Sequence, residues 1–176
     1  MRRLMLLRHA KSDWSGPHSA PDHDRVLDPR GREAAPKIGA YMARHGLEPD
    51  LVLCSTAARA RETLALAARA FSVPPRTVYE ARIYDADPER LLEVIEETDA
   101  DVHALLLVGH TPGMQSLAEL LIASGDVESR QKILEKYPTA GLAVIDFPLS
   151  DWSRLHPQSG RLDRFVTPRL LASIDD

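Results

Sequence analysis

The chain has 176 residues, of which 44% are hydrophobic and 27% charged, and its formal net charge is −4 at neutral pH. This length predicts one domain, residues 1–176, with a hydrophobic core of ordinary size. A weakly acidic chain offers no basic surface for nucleic acid or for an anionic membrane, so neither is expected as a partner. An anionic substrate would therefore have to be attracted by a local cluster of cations.

Cysteine content and the length of the apolar runs narrow the class of protein further. Cys54 is the only cysteine, which excludes an intramolecular disulfide and a thiolate-rich metal site. The longest apolar runs hold about five residues, far fewer than the ~20 that span a bilayer. The basic start MRRLMLLRHA has too short an apolar part for a signal peptide, and Arg8 interrupts it. A cytoplasmic location is therefore expected.

The first elements follow from short local patterns. RLMLL (3–7) is a continuous apolar run that predicts a buried strand. Residues 11–28 are rich in Ser, Asp, Pro and His and have no periodicity, which predicts a long loop of the kind that is usually functional. Asp28 before Pro29 predicts a capped helix start, and Gly46 predicts the end of that helix.

Strand and helix patterns then alternate up to residue 124. Further strands are predicted at 50–54, 76–80, 103–110, 140–147 and 160–167, the last two half exposed. Helices are predicted at 57–71, 87–98 and 113–123, followed by a mostly helical connection at 126–137. Ser55-Thr56 and Thr111 are predicted to cap the helices that follow them. This alternation is typical of a single α/β domain with three layers, α/β/α, around a mostly parallel sheet.

Cationic and imidazole side chains stand at the predicted strand ends, where open α/β sheets bind their ligands. Arg8 and His9 follow the first strand, Arg59 lies just after the second, and His110 ends the strand at 103–110. Guanidinium groups pair bidentately with phosphate, and helix N-termini add N–H donors. One histidine can accept a phosphoryl group as nucleophile, and a second can donate to a non-bridging oxygen. The pattern therefore predicts a phosphoryl-transfer site.

These residues lie in motifs that resemble a known family. Arg8-His9-Ala10 resembles the Arg-His-Gly signature of the histidine phosphatase superfamily, which includes the cofactor-dependent phosphoglycerate mutases. Three further segments resemble its other motifs, namely LDPRG (27–31), CSTAARARET (54–63) and LLLVGHTPG (105–113). The chain length, the RHAKS variant and the ending FVTPR are similar to the small SixA-like phosphohistidine phosphatases.

The resemblance implies a phosphoglycerate mutase-like fold and a phosphatase that forms a covalent phosphohistidine on His9. It places Arg8, Arg59 and His110 in the phosphate pocket. Because arginines and helix N-termini supply the positive charge there, no metal and no other cofactor is expected. The residues expected to contact the substrate are Arg8, Arg59, Lys11, Ser12, Ser55 and Thr111. The expected partner is a phosphorylated protein or a small phosphorylated molecule.

Two positions bear on how far the family pattern applies. Ala10 replaces the usual glycine, so the backbone there must avoid positive φ or bear an energetic cost. Glu80 follows the strand at 76–79 where the acid of larger members would fall, and it is predicted as the general acid. The small members lack the insertions that surround that acid, so a solvated strand-end carboxylate is the alternative interpretation of Glu80.

Two rival chemistries fit the sequence less well. A thiol-dependent phosphatase would use Cys54, but the position where it needs an arginine is Ala60. A metal hydrolase would draw on the densest group of possible ligands, which is His18, Asp22, His23 and Asp24. Its spacing matches no common metal motif. The group is interpreted as loop surface, with a rim that faces the substrate as the alternative.

Several functional alternatives stay open at this level. A phosphohistidine mutase would use the same His9, but no insertion is large enough to form an extensive lid. A non-catalytic phosphoprotein-binding module would not need a nucleophile. Within the phosphatase interpretation, the substrate is a phosphorylated side chain such as phosphohistidine or, alternatively, a small phosphometabolite.

Overall fold

The computed structural model describes residues 1–17 and 20–175, and its strands join one seven-stranded sheet. The strands are β1 (Arg2–Arg8), β2 (Leu51–Cys54), β3 (Arg76–Tyr79), β4 (Ala104–Gly109), β5 (Ile122–Gly125), β6 (Leu142–Phe147) and β7 (Gly160–Val166). The helices are α1 (Pro29–Arg44), α2 (Ala58–Ala67), α3 (Pro88–Glu96), α4 (Gly113–Leu121), α5 (Val127–Glu135) and α6 (Pro168–Asp175).

The sheet is mostly parallel, as the sequence predicts. Its strand order is β3-β2-β4-β1-β6-β7-β5. Within the described part of the chain, β6 alone runs against the others, because it pairs antiparallel with both β1 and β7. No helix in residues 1–17 or 20–175 is long and apolar enough to cross a bilayer.

Helices cover both faces of the sheet. Leu4 and Leu6 of β1 belong to the cluster that includes α3, α4 and α5 side chains, whereas Met5 and Leu7 belong to the cluster with α1, α2 and α6. All four side chains are fully buried, and burying each contributes roughly 1.5–3 kcal/mol. Burial on both faces explains why these strands are continuous apolar runs. The predicted three-layer architecture is confirmed.

The segment after β1 is anchored to the start of α1. The Asp28 side chain caps this helix as predicted and accepts a hydrogen bond from the Gly31 N–H at 2.8 Å. A Cβ atom added to Gly31 would collide with the carbonyl oxygen of Lys11. Glycine at that position therefore lets the helix start pack directly against the chain that leaves β1.

The starts of α2 and α4 differ from the prediction. Their N-cap positions are Ala57 and Pro112, and neither helix has a capping side chain. Ser55 Oγ accepts a hydrogen bond from the Ala57 N–H at 3.2 Å in the preceding turn. Ser55 and Thr111 therefore do not cap these helices. Backbone bonds close part of each first turn, since the Ala60 N–H donates to the Ala57 carbonyl at 3.1 Å and the Met114 N–H to the His110 carbonyl at 3.0 Å.

Two later elements also differ from the prediction. The helix predicted over 113–123 ends at Leu121, and Ile122–Gly125 forms β5, which pairs with β7. Strand β6 is almost entirely buried rather than half exposed. Both differences come from tertiary pairing and from helices on both faces, which a local pattern does not report.

Candidate active site

The strand ends bring the predicted phosphate-pocket residues together. Arg8 and His9 leave β1, Arg59 lies on α2 after β2, and His110 follows β4. The ring centroids of His9 and His110 are 5.2 Å apart. Arg8 and Arg59 are close enough that the charge of Arg59, added to burial, lowers the pKa of Arg8. Two cations and two imidazoles therefore share one site.

The backbone orients the His9 ring. Its Nδ1 lies 2.7 Å from the carbonyl oxygen of Ala10. Because a carbonyl only accepts, Nδ1 carries the proton and Nε2 keeps its lone pair. His9 is only 6% exposed, and burial lowers its pKa to about 3. At neutral pH, His9 is thus a neutral imidazole with a free Nε2, which is the form that a nucleophile needs.

Thr63 connects the nucleophile to the helix that carries Arg59. The Ala10 N–H donates to the Thr63 hydroxyl oxygen at 2.9 Å, and that hydroxyl donates to the Arg59 carbonyl at 2.7 Å. Ala10 is not among the described non-glycine residues with positive φ. Alanine therefore replaces glycine here without a strained backbone.

Both arginines have buried nitrogen atoms without a partner. Arg8 Nη1 donates to the carbonyl oxygen of Tyr137 at 2.8 Å. The Nε atoms of Arg8 and Arg59 are buried and find no acceptor among the described residues. Unpaired buried donors are costly. Two guanidinium groups in this state are ready to bind an anion such as a phosphoryl group.

His110 is oriented by Ser55. Its Nε2 lies 2.7 Å from the Ser55 hydroxyl, and its buried Nδ1 has no partner in the described residues. Burial, followed by the charge of Arg59, lowers the pKa of His110 to about 4, so the ring is neutral. With the Ser55 hydroxyl as donor, the proton sits on Nδ1 and is available to an oxygen of a bound phosphoryl group.

The other predicted substrate-binding residues occupy different positions. Ser55 is fully buried and contacts His110, so it acts on that ring. Thr111 lines the open cavity described next. Lys11 is exposed, and Ser12 is buried and accepts a hydrogen bond from Arg25.

A cavity of about 350 Å³ opens beside Arg59 and His110. The lining includes three aspartates and one tyrosine that were not among the predicted site residues: Asp22, Tyr84, Asp85 and Asp87. Arg8 and His9 are not among its lining residues. The only sequence signal for the missed residues was the dense polar group in the 11–28 loop, which contains Asp22.

Asp22 already occupies the outer face of Arg59. Its carbonyl oxygen accepts from Arg59 Nη1 at 2.9 Å, and its carboxylate accepts from Nη2 at 3.0 Å. The carboxylate also accepts from the Tyr84 hydroxyl at 2.6 Å and from Arg25. The Tyr84 hydrogen bond, followed by the charge of Arg59, lowers the pKa of Asp22 to about 2. An ionised carboxylate therefore sits where a phosphate oxygen would bind.

The rest of the loop group is divided between rim and surface. His23 Nε2 lies 2.8 Å from the Thr56 hydroxyl, and its ring contacts Tyr84 edge-on at 4.9 Å. Asp22 and His23 thus form part of the rim, whereas Asp24 is exposed. His18 lies outside the described residues.

Glu80 lies away from the cavity. Its carboxylate accepts from Arg82 Nε at 2.9 Å and from Nη2 at 3.0 Å, and these hydrogen bonds lower the pKa of Glu80. A carboxylate that is held ionised is poorly suited to give a proton to a leaving group. Strand β3, which leads to Glu80, is at the sheet edge, and β2 and β4 separate it from β1. The structure therefore does not bring the predicted general acid to His9.

Cys54 is a buried apolar residue, and burial raises the pKa of its thiol to about 12. It is thus protonated at neutral pH and cannot serve as a thiolate nucleophile. Across residues 1–17 and 20–175, no group of three or more His, Cys, Asp or Glu side chains is arranged to hold a metal ion.

Comparisons with known proteins show the family of this chain. The sequence model of the histidine phosphatase superfamily (branch 1) matches residues 4–82. An uncharacterised protein from Mycobacterium tuberculosis is 39% identical over 165 residues, which is 93% of this chain and all of the relative. The chain belongs to the histidine phosphatase superfamily.

Similar solved structures indicate which group of the superfamily this chain belongs to. A candidate phosphohistidine phosphatase SixA from Agrobacterium tumefaciens is 35% identical, with a TM-score of 0.80 over 95% of this chain and 98% of that one. A second SixA candidate, from Nakamurella multipartitia, is 26% identical, with a TM-score of 0.79 over 95% of this chain and 96% of that one. Within the superfamily, this chain is a member of the SixA-like group.

Burial of neutral His9 predicts a pH-dependent stability. In the unfolded chain this imidazole takes a proton near pH 6.5, whereas in the folded protein it does so only at about pH 3. Between these values the unfolded state binds more protons, so the fold loses stability as the pH falls. The contribution of His9 to this loss in the free energy of unfolding is at most roughly 2 kcal/mol between about pH 7 and pH 5. We expect His9→Gln to lack this share in urea unfolding measured at both pH values.

The exposed His156 supplies the matched control. His156→Gln should keep the full pH dependence of the wild-type protein. If His9→Gln lost as much stability on acidification as the wild type, His9 would not be a buried neutral group.

The contact between Asp22 and Arg59 predicts competition with phosphate. Asp22→Asn removes the carboxylate charge from Arg59 but keeps an oxygen for the Tyr84 hydroxyl. We expect this variant to bind inorganic phosphate several-fold more tightly, since the charge that competes with phosphate for Arg59 is removed and a half-exposed carboxylate is worth roughly 1 kcal/mol in an ion pair. Titration calorimetry measures the change, with Asp24→Asn as the control. Weaker phosphate binding by Asp22→Asn would instead mean that Asp22 holds Arg59 in its active position.

Proposed function

We propose that this protein is a metal-independent phosphatase that acts on phosphohistidine or a phosphomonoester through a covalent phosphohistidine on His9. The observation that carries the proposal is the neutral His9 ring, whose Nε2 is free beside the buried Arg59, the half-buried Arg8 and a second neutral histidine. A binding module would gain nothing from a nucleophile held in this protonation state. The family membership supports phosphatase activity independently.

The geometry supports a two-step reaction. Arg8, Arg59 and His110 would bind the non-bridging oxygens of the phosphoryl group and compensate its charge. His9 Nε2 attacks phosphorus with its lone pair, and the bond from phosphorus to the leaving group breaks as the new N–P bond forms. Water then attacks the phosphorus, the N–P bond breaks, and inorganic phosphate leaves with His9 neutral again.

A phosphorylated protein side chain is the favoured substrate, with phosphohistidine as the first choice. An alkoxide leaving group needs a positioned acid, which is worth roughly 10²–10⁴-fold. Asp22 at the cavity is held ionised, and Glu80 is bound to Arg82 elsewhere. An imidazole leaving group needs less help from an acid, which favours phosphohistidine over a small phosphometabolite. The cytoplasmic location stays a prediction.

The intermediate on His9 can be trapped. Protein incubated with a radiolabelled phosphohistidine peptide and quenched in alkali should retain label that is stable to base and labile to acid. His9→Ala should abolish both the label and turnover, because no other group replaces Nε2. EDTA should change neither result in the wild type.

His45 is the control for this trapping experiment, since it stacks on Tyr41 of α1 away from the site. His45→Ala should retain the label. Turnover by His9→Ala at a rate near that of the wild type would refute the proposed mechanism.

Arg59 and Arg61 form a matched pair on one helix. Arg59 is buried at the site, whereas Arg61 is exposed and lies over the Tyr79 ring at 5.3 Å. Arg59→Ala should lower kcat/KM for p-nitrophenyl phosphate by roughly 10²–10³-fold, as for loss of a transition-state donor. Arg61→Ala should change it less than about twofold. Equal losses would show that charge alone, and not position, matters on α2.

A further inference from the structure

The cavity beside the phosphate pocket has an acidic wall. We use this term for residues 84–87, all four of which line the cavity and two of which, Asp85 and Asp87, are acidic. The described lining residues include three carboxylates, with Asp22 as the third, but only one cationic side chain, Arg59. This charge balance is unexpected around a pocket that binds a phosphoryl dianion.

The carboxylates of the acidic wall are not neutralised by the protein. Asp22 is paired with Arg59 and Arg25. Asp85 and Asp87 are exposed, and neither forms an ion pair with a described residue. Asp87 uses one oxygen to cap α3 through the Arg90 N–H at 2.8 Å. Both aspartates therefore line the cavity without a cationic partner among the described residues.

Packing fixes the acidic wall against the second histidine. The carbonyl oxygen of Ala86 lies where a Cβ atom of Gly113 would be, so the wall contacts the first turn of α4 directly. The Tyr84 ring lies edge-on to His110 with centroids 5.5 Å apart. Asp85 follows with a φ of 55°, which turns the chain sharply at this point. The fold thus holds the backbone of the acidic wall next to the first turn of α4 and His110.

The same cavity is lined by a buried cationic group, the Arg59 guanidinium, which can bind an anion. Arg59 is only 6% exposed, and its Nε has no acceptor among the described residues. A phosphoryl group at Arg59 and His110 would leave the remainder of its molecule over the acidic wall. One end of the cavity therefore selects an anion, and the other repels one.

We propose that the substrate carries a positive charge beside its phosphoryl group, and that Asp85 and Asp87 recognise it. This inference rests on the proposed phosphatase function and narrows its substrate class. An ammonium or guanidinium group next to the phosphoryl group meets these requirements, whether it belongs to a lysine- or arginine-rich phosphorylated segment or to a small ammonium phosphate. A carboxylate at the same place would be repelled by both aspartates.

The expected discrimination is moderate because both carboxylates face solvent. Each exposed ion pair changes affinity by roughly two- to fivefold. A cationic neighbour should therefore be preferred over an anionic one by about tenfold at low ionic strength, and the preference should shrink as salt screens the charges.

Two matched pairs of probes test the inference. Phosphoethanolamine and phosphoglycolate are similar in size and opposite in the charge of their second group, and their inhibition constants against p-nitrophenyl phosphate hydrolysis form the first arm. Phosphohistidine peptides flanked by lysine or by glutamate form the second arm, read as kcat/KM. We expect the cationic probe to be favoured about tenfold in at least one arm. The arm that shows the preference tells whether the cationic group of the natural substrate belongs to a small molecule or to a protein segment.

Asp85→Asn combined with Asp87→Asn should reduce the preference to about twofold or less. Asn retains the capping oxygen for α3. Asp126→Asn is the matched control, because Asp126 caps α5 in the same way through the Ser129 N–H at 2.9 Å and does not line the cavity. This control should keep the full preference.

The outcomes separate the inference from the proposed function. An enzyme that hydrolyses p-nitrophenyl phosphate through His9 but shows no preference in either arm overturns the inference alone. A preference that survives in the double variant also overturns it. Absence of hydrolysis that depends on His9 overturns the proposed function, and the inference with it.

Discussion

The register of three parallel strands is the constraint on which the site depends. Arg8 at the end of β1 lies opposite Gly109 of β4, and Cys54 of β2 lies opposite Val108. The hydrogen bonds continue past the strand ends, with the His9 N–H donating to Gly109 and the Ser55 N–H to Val108, both at 3.0 Å. A shift of one residue in either pair would move a side chain to the opposite face of the sheet. Backbone pairing thus aligns His9, Ser55 and His110 before any side chain contact forms.

Burial gives these aligned groups their chemistry at a cost in stability. Two imidazoles are kept neutral, and nitrogen atoms of Arg8, Arg59 and His110 are left without partners among the described residues. Such groups destabilise a fold unless a ligand or counter-ion satisfies them. Asp22 compensates part of the charge of Arg59. The large apolar clusters on both faces of the sheet supply the stability that makes this arrangement tolerable.

The segment after the edge strand β3 explains where the acidic groups are. Glu80 forms an ion pair with Arg82, and Arg82 also pairs with Glu97 at 2.6 Å. This network lies at the far edge of the sheet. The chain then returns toward the centre, so that residues 84–87 reach α4 and the cavity. A strand end at the edge is too far from β1 to supply a catalytic group, whereas the loop that follows can cross that distance. Acidic residues therefore reach the site through a loop.

The sequence by itself determined the α/β class, most element positions and the four residues Arg8, His9, Arg59 and His110. Each of these follows from local order, because a residue just after a parallel strand, or in the first turn of the helix that follows, lies at the carboxyl edge of the sheet. Tertiary structure alone decided the pairing of β5 with β7, the position of Glu80 and the presence of Asp22, Tyr84, Asp85 and Asp87 at the cavity. Strand order places an edge strand far from the centre, and loops bring together residues distant in sequence. Strand order and the contacts of loops do not depend on local periodicity, so they could not be inferred from the sequence alone.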